Sequence, residues 1–133
     1  MKFFGISALL LLSLCAFAQT PPQNDLEEQK QIREAIDAQI EDYSQLLELQ
    51  DWQIFYVDSI MTHDYEQMRV ELAALTAAKV SNTEAYIRVQ DKWMEKMYQA
   101  YKKVFDSKQW AKYEKSGAAR EKKNRDKREA KRK

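Results

Sequence analysis

Residues 104–115, VFDSKQWAKYEK, have the pattern of a helix start: Phe105, then Asp106, then Gln109 three positions on, then Trp110. An aspartate at the cap accepts the N–H of the third helical residue, and a glutamine at that third position bonds back to the cap N–H. Phe105 and Trp110 stand where a hydrophobic staple closes over such a box. One helix therefore ends near Val104 and another starts at once, so consecutive helices meet at a short break. Replacing Asp106 with alanine is expected to cost about 1 kcal/mol of stability, measured by urea unfolding.

On either side of this stretch, turn formers are almost absent. After residue 24 there is a single glycine, Gly117, and both prolines, Pro21 and Pro22, precede it. Long helices need few turns and sheets need many, so the chain is expected to be all-α, three or four amphipathic helices in a hairpin or bundle. Apolar residues agree with a 3.6-residue rhythm. Ile32, Ile36, Ile40, Tyr43 and Leu47 form the stripe of a first helix, with Asp25 and Glu28 at capping-box spacing. Ile54, Val57, Met61, Met68, Leu72 and Leu75 form that of a second, which Trp52, Phe55, Tyr56 and Ile60 widen, so its first half is expected to be buried on more than one side. Ser81 and Glu84 have box spacing again, with Val80 and Ala85 as a small staple, and Tyr86, Trp93, Met94, Met97, Tyr101 and Val104 mark a third helix. A break between Leu49 and Asp51 separates the first two, and Gly117 is placed to end the last. The helical domain is thus expected over 25–117.

The first twenty residues, MKFFGISALLLLSLCAFAQT, combine Lys2, an apolar run and Ala16-Phe17-Ala18. That is the form of a secretory signal peptide, residues 1–18, cleaved between Ala18 and Gln19 and followed by a short linker over 19–24. The run is too short for a membrane span, which takes about 20 apolar residues. Lipidation at Cys15 is disfavoured, because the residue before it, Leu14, is not small. Cleavage removes the only cysteine, so the remaining chain folds without disulfides, and a bacterial periplasm is the expected destination.

Charge is segregated along the chain. Residues 25–84 hold 14 acidic and 4 basic groups, and residues 85–133 hold 7 acidic and 17 basic. Either the halves attract each other, in a hairpin or an antiparallel dimer, or the basic end meets an external anion. The basic tail over 118–133 ends in REKKNRDKREAKRK, with nine Lys or Arg against three acids. Such a run is expected to be a solvated tail, helical and frayed or disordered. Its alternative role is contact with an anionic envelope surface or acidic partner through Arg120, Lys122, Lys123, Arg125, Lys127 and Arg128. Its lack of aromatics argues against single-stranded nucleic acid, whose binding uses stacking.

Most chemistry is excluded by composition. Beyond residue 18 there is no cysteine and only one histidine, His63, so no Cys/His zinc site or Cys–His nucleophile is available. No glycine-rich phosphate loop exists, and no cofactor or metal is expected. A serine triad would have to use His63, without the G-x-S-x-G elbow that presents a serine. Asp58, Asp64 and Glu66 surround His63 in sequence, as acids commonly do on solvated helix faces. No residue is expected to be catalytic.

The 104–115 stretch resembles the LTxxQ segment of the Spy/CpxP-like periplasmic chaperone family, with Phe105 for the leucine, Asp106 for the threonine and Gln109 for the glutamine. LQDWQIF at 49–55 is similar, keeping Leu49 and Gln53 with Gln50 in the threonine position. The two copies form an internal repeat that suits paired helical hairpins. The resemblance implies a small, helical, dimeric, ATP-independent chaperone or stress regulator of the envelope. Met61, Met68, Met94, Met97, Trp52 and Trp93 are then candidate contacts for unfolded clients, since thioethers adapt to varied surfaces. Each also sits on a helical stripe, where the plain expectation is core. The other reading is a non-enzymatic envelope protein whose basic tail docks anionic lipid or a protein partner.

Overall fold

The structure, a computed structural model, describes residues 25–133. The expected signal peptide, its cleavage site at Ala18 and Gln19, the 19–24 linker and Cys15 lie outside the described residues, as does Asn24 ahead of the first helix. Every regular element among the described residues is helical: α1 (Asp25–Leu47), α2 (Asp51–Ala77), α3 (Thr83–Val104), α4 (Ser107–Tyr113), a π turn (Glu114–Ala118) and α5 (Ala119–Arg132). The protein is an all-α helical bundle. α2 packs on α3 at the centre, α1 lies on α2 and α4, and α5 lies on α3.

A shift of 56 residues, the separation of Gln53 from Gln109, carries α1 onto 81–103 and α2 onto 107–133. The repeat read from two short segments thus extends over two complete helix–break–helix units. They differ in the second helix, which runs unbroken in the first unit and is interrupted at Gly117 in the second. There φ is +117°, a conformation open to glycine and strained for any residue with a Cβ. The interruption shows as a π turn, and α5 leaves it as a separate segment.

Two other ends turn through left-handed residues that are not glycine. Glu48 (φ 54°) follows α1 and Lys79 (φ 55°) follows α2. Beyond each, an N–H reaches back across the turn, Leu49 N to Ser44 O at 3.3 Å and Val80 N to Leu75 O at 3.0 Å. These bonds are the Schellman closure, which glycine usually supplies at the left-handed position. The third helix begins one residue later than its box spacing suggested: Asn82, not Ser81, is the cap and accepts the Glu84 N–H at 3.0 Å. Asn82 is well suited to this, since its side-chain oxygen reaches the second helical N–H.

The core has two parts. Around the breaks, Ile36, Leu47, Val57, Met61, Met97, Tyr98, Tyr101, Phe105 and Tyr113 are buried together. Aromatic edges meet faces there, Tyr43 with Tyr113 at 5.6 Å and Phe105 with Tyr113 at 5.5 Å between centroids, and such pairs add about 1 kcal/mol each beyond area burial. Burial raises the Tyr43, Tyr101 and Tyr113 phenols well above their usual range and that of Tyr65 to about 12, so all four are neutral packing groups at ordinary pH. Further along α2 and α3, Met68, Leu72 and Trp93 make a smaller cluster, and the Trp93 indole N–H donates to Glu71 at 3.1 Å.

Candidate functional site

The two breaks that the repeat places in register are joined by Gln53 and Gln109. Gln53 Nε2 donates to Gln109 Oε1 at 2.6 Å, and Gln109 Nε2 donates to Gln53 Oε1 at 3.0 Å. Each amide also donates to the last turn of a helix in the other unit, Gln53 to the Val104 carbonyl at 3.1 Å and Gln109 to the Leu47 carbonyl at 3.3 Å. Each Oε1 further accepts the N–H of its own cap position, Gln50 for Gln53 and Asp106 for Gln109, both at 3.0 Å. Asp106 completes its box by accepting the Gln109 N–H at 2.8 Å. Two buried primary amides, 3% and 8% exposed, thereby each use both N–H donors and both lone pairs of the oxygen. Their work is architectural: they satisfy carbonyls that helix ends leave unpaired and lock one break to the other.

That lock presents a surface. Beside the first break, Trp52 is 51% exposed, Phe55 68% and Tyr56 52%, and Leu46 in the last turn of α1 is 42% exposed. Their positions i, i+3 and i+4 put the three rings on one face of α2, where Tyr56 meets Trp52 at 6.1 Å and Phe55 at 5.8 Å, both edge to face. The Trp52 indole is held by Gln50 Oε1 at 2.8 Å. The opposite face of α2 carries the buried Gln53, Val57, Met61, Asp64, Met68 and Leu72. The start of α2 is therefore not buried on more than one side. Among the described residues no helix covers its outer face, and only Ile60 of the widening residues is half-buried against the core.

Of the residues expected to touch clients, Met61, Met68, Trp93 and Met97 lie inside the bundle, and Met94 packs half-buried against the core. Trp52 alone of that set stands out in solvent. Sequence reading missed Phe55 and Tyr56 because an aromatic at helical spacing reads as core until its facing helix is known. His63 is exposed, with Nδ1 2.7 Å from Asp64 Oδ1, while Asp64 is largely buried. Ser59, one turn earlier, donates its hydroxyl to the Phe55 carbonyl at 2.9 Å. Among the described residues no group of three His, Cys, Asp or Glu could hold a metal ion.

The basic tail is neither frayed nor free. As α5 it lies antiparallel on α3, held by charge. Arg125 pairs with Glu95 at 3.2 Å, Lys122 with Glu95 at 2.9 Å, Arg128 with Asp91 at 2.7 Å, and Arg132 with both Glu84 at 2.6 Å and Asp91 at 3.1 Å. Arg125 is 8% exposed, and its stem and guanidinium rest near the Tyr98 ring, 5.6 Å from the centroid. Burial alone would push the Glu95 carboxyl up; Gln99, Lys122 and Arg125 more than offset that and hold it below the usual glutamate range. The carboxylates met by the tail are thus on α3, not on the strongly acidic α1 and α2. The two halves do touch elsewhere, through Lys92 with Glu71 and Lys112 with Glu48. Of the six cations expected to face an external anion, Lys122, Arg125 and Arg128 are engaged within the protein, while Arg120, Lys123 and Lys127 are exposed.

No helix of the described residues is long and apolar enough to cross a membrane. No family model, no curated protein and no solved structure matches the chain.

Proposed function

We propose that the protein is an exported, non-enzymatic, ATP-independent holdase-type chaperone of the Spy/CpxP-like kind, which binds apolar segments of unfolded clients on the outer face of α2. One observation carries this reading: Trp52, Phe55 and Tyr56 are half or more exposed on a single helix face. Exposed aromatics so grouped are unfavourable in water unless something covers them. The break beneath them is rigid, because the Gln53–Gln109 pair fixes it, so the rings are presented and do not collapse inward. Both segments that resemble the family motif open a helix with glutamine at its third position, which supports the family assignment.

The test is light scattering of an unfolded client diluted into buffer without ATP, in the presence of the protein or of W52S/F55S/Y56S. The rings are already partly buried, and covering the exposed half of each is worth about 1 kcal/mol, so the triple variant is expected to need about a hundredfold more protein for equal suppression. Its urea midpoint should stay near that of the parent, since surface substitutions change stability by only about 0.5 kcal/mol each. Failure of the unsubstituted protein to suppress aggregation of several unrelated clients would remove the chaperone reading. Undiminished suppression by the variant would move the contact away from α2.

A further inference from the structure

The docking of α5 divides its cations into two sets. Lys122, Arg125, Arg128 and Arg132 turn toward α3 and its carboxylates. Arg120, Lys123, Lys127 and Lys131 follow one another at steps of three and four residues, and all four are exposed. At 100° per residue this second row faces about 150° away from the first. Arg120 has a loose contact with Glu121 at 3.8 Å; Lys123, Lys127 and Lys131 have no ion-pair partner among the described residues. The sector they span holds Asn124 and Ala130 besides, and no carboxylate. The result is a straight row of four positive charges about 16 Å long on an outer helix.

We infer that this row is a docking surface for an anionic phospholipid bilayer. The row contains no apolar side chain larger than alanine, whereas a specific protein interface builds its core from aromatic and aliphatic anchors. A charged headgroup plane needs no such anchor and attracts each nearby Lys or Arg independently. Without an apolar stripe α5 lies on the headgroups and does not insert among the chains. Net charge does not supply the attraction, because residues 25–133 hold 21 acidic and 21 basic groups. The arrangement of charge does: α5 presents the cationic row, while α1, packed on different helices, carries Asp25, Glu27, Glu28, Glu34, Asp37, Glu41 and Asp42. An anionic plane therefore attracts α5 and repels α1, which orients the molecule.

Flotation of the full chain with phosphatidylcholine vesicles, or with phosphatidylcholine/phosphatidylglycerol vesicles, tests the inference. Residues 1–24 are common to every sample, so differences between variants report the cations changed. R120Q/K123Q/K127Q/K131Q empties the row, and K30Q/K79Q/K103Q/K108Q removes the same charge from exposed positions elsewhere. The parent protein is expected to float with the anionic vesicles, less so at high salt. Each cation near the surface is worth about fivefold, so the row variant should lose several hundredfold in partitioning while the control variant stays close to the parent. Equal binding to both vesicle types, equal loss in both variants, or binding to polyglutamate with none to anionic vesicles would overturn the inference, the last in favour of an acidic protein partner.

Discussion

Gln109→Leu is expected to destabilise the protein by about 3 kcal/mol, and Gln53→Leu by a similar amount, with the double variant less destabilised than the sum. Leucine fills nearly the same volume, so the loss is polar. Removing Gln109 leaves the Leu47 carbonyl and the Asp106 N–H without their partners, and strands one donor and one acceptor of the buried Gln53 amide. A buried polar group without a partner costs about 1–3 kcal/mol. In the double variant the backbone groups stay unsatisfied, but no stranded amide remains. The coupling between the sites should therefore be about 1–2 kcal/mol, read from urea unfolding of all four proteins. Strict additivity would mean that the amides act separately and that the breaks are not locked to each other.

The second large effect is loss of α5 docking in acid. The contact with α3 is made mainly of carboxylates facing guanidinium and ammonium groups, with Arg125 also against the Tyr98 ring and alanine the only apolar residue type along α5. The Glu95 carboxyl lies below the usual glutamate range in the folded protein. A depressed carboxyl contributes stability that is complete above its unfolded value, about 4.3, and is lost as the pH falls through the lower folded value. Amide exchange protection in α5, corrected for intrinsic rates, is expected to collapse below about pH 4 while protection in α2 persists. Asp91→Asn should produce the same local release at neutral pH, because Asp91 holds Arg128 and Arg132 together. A loss of about tenfold or more in α5 protection is expected, the contribution of a partly buried ion pair. Simultaneous loss across α2 and α5 would show that α5 is part of one cooperative unit. Unchanged α5 protection in Asp91→Asn would show that the ionic contacts do not hold it.

The two effects touch different links between sequence and fold. The glutamine pair ties helix ends whose local geometry the chain already encodes. The α3–α5 contact chooses where a segment with almost no apolar surface will lie. A charged helix of this kind has little intrinsic reason to occupy one site, and the hinge at Gly117 lets it reach the acids of α3.

The helices, the break at 104–115 and the similar break at 49–53 were legible in the amino-acid order alone, because periodicity and capping are interactions between residues three or four apart. Asp106 caps and Gln109 answers within one turn of chain, so that box needed no tertiary information. Tertiary structure decided what each apolar stripe faces. Met61, Met68, Met97 and Trp93 became core because α2 and α3 pack together, and Trp52, Phe55 and Tyr56 stayed in water because none of the described helices packs on the outer side of α2. It also decided that Gln53 meets Gln109 across 56 residues and that Arg125, Arg128 and Arg132 meet acids 30 to 48 residues away. The turns at Glu48 and Lys79 lacked the usual glycine, so their left-handed backbone could not be read in advance. Helical order is dictated by near neighbours along the chain, whereas burial, amide pairing and ion pairing depend on which distant segments the packed core brings into reach.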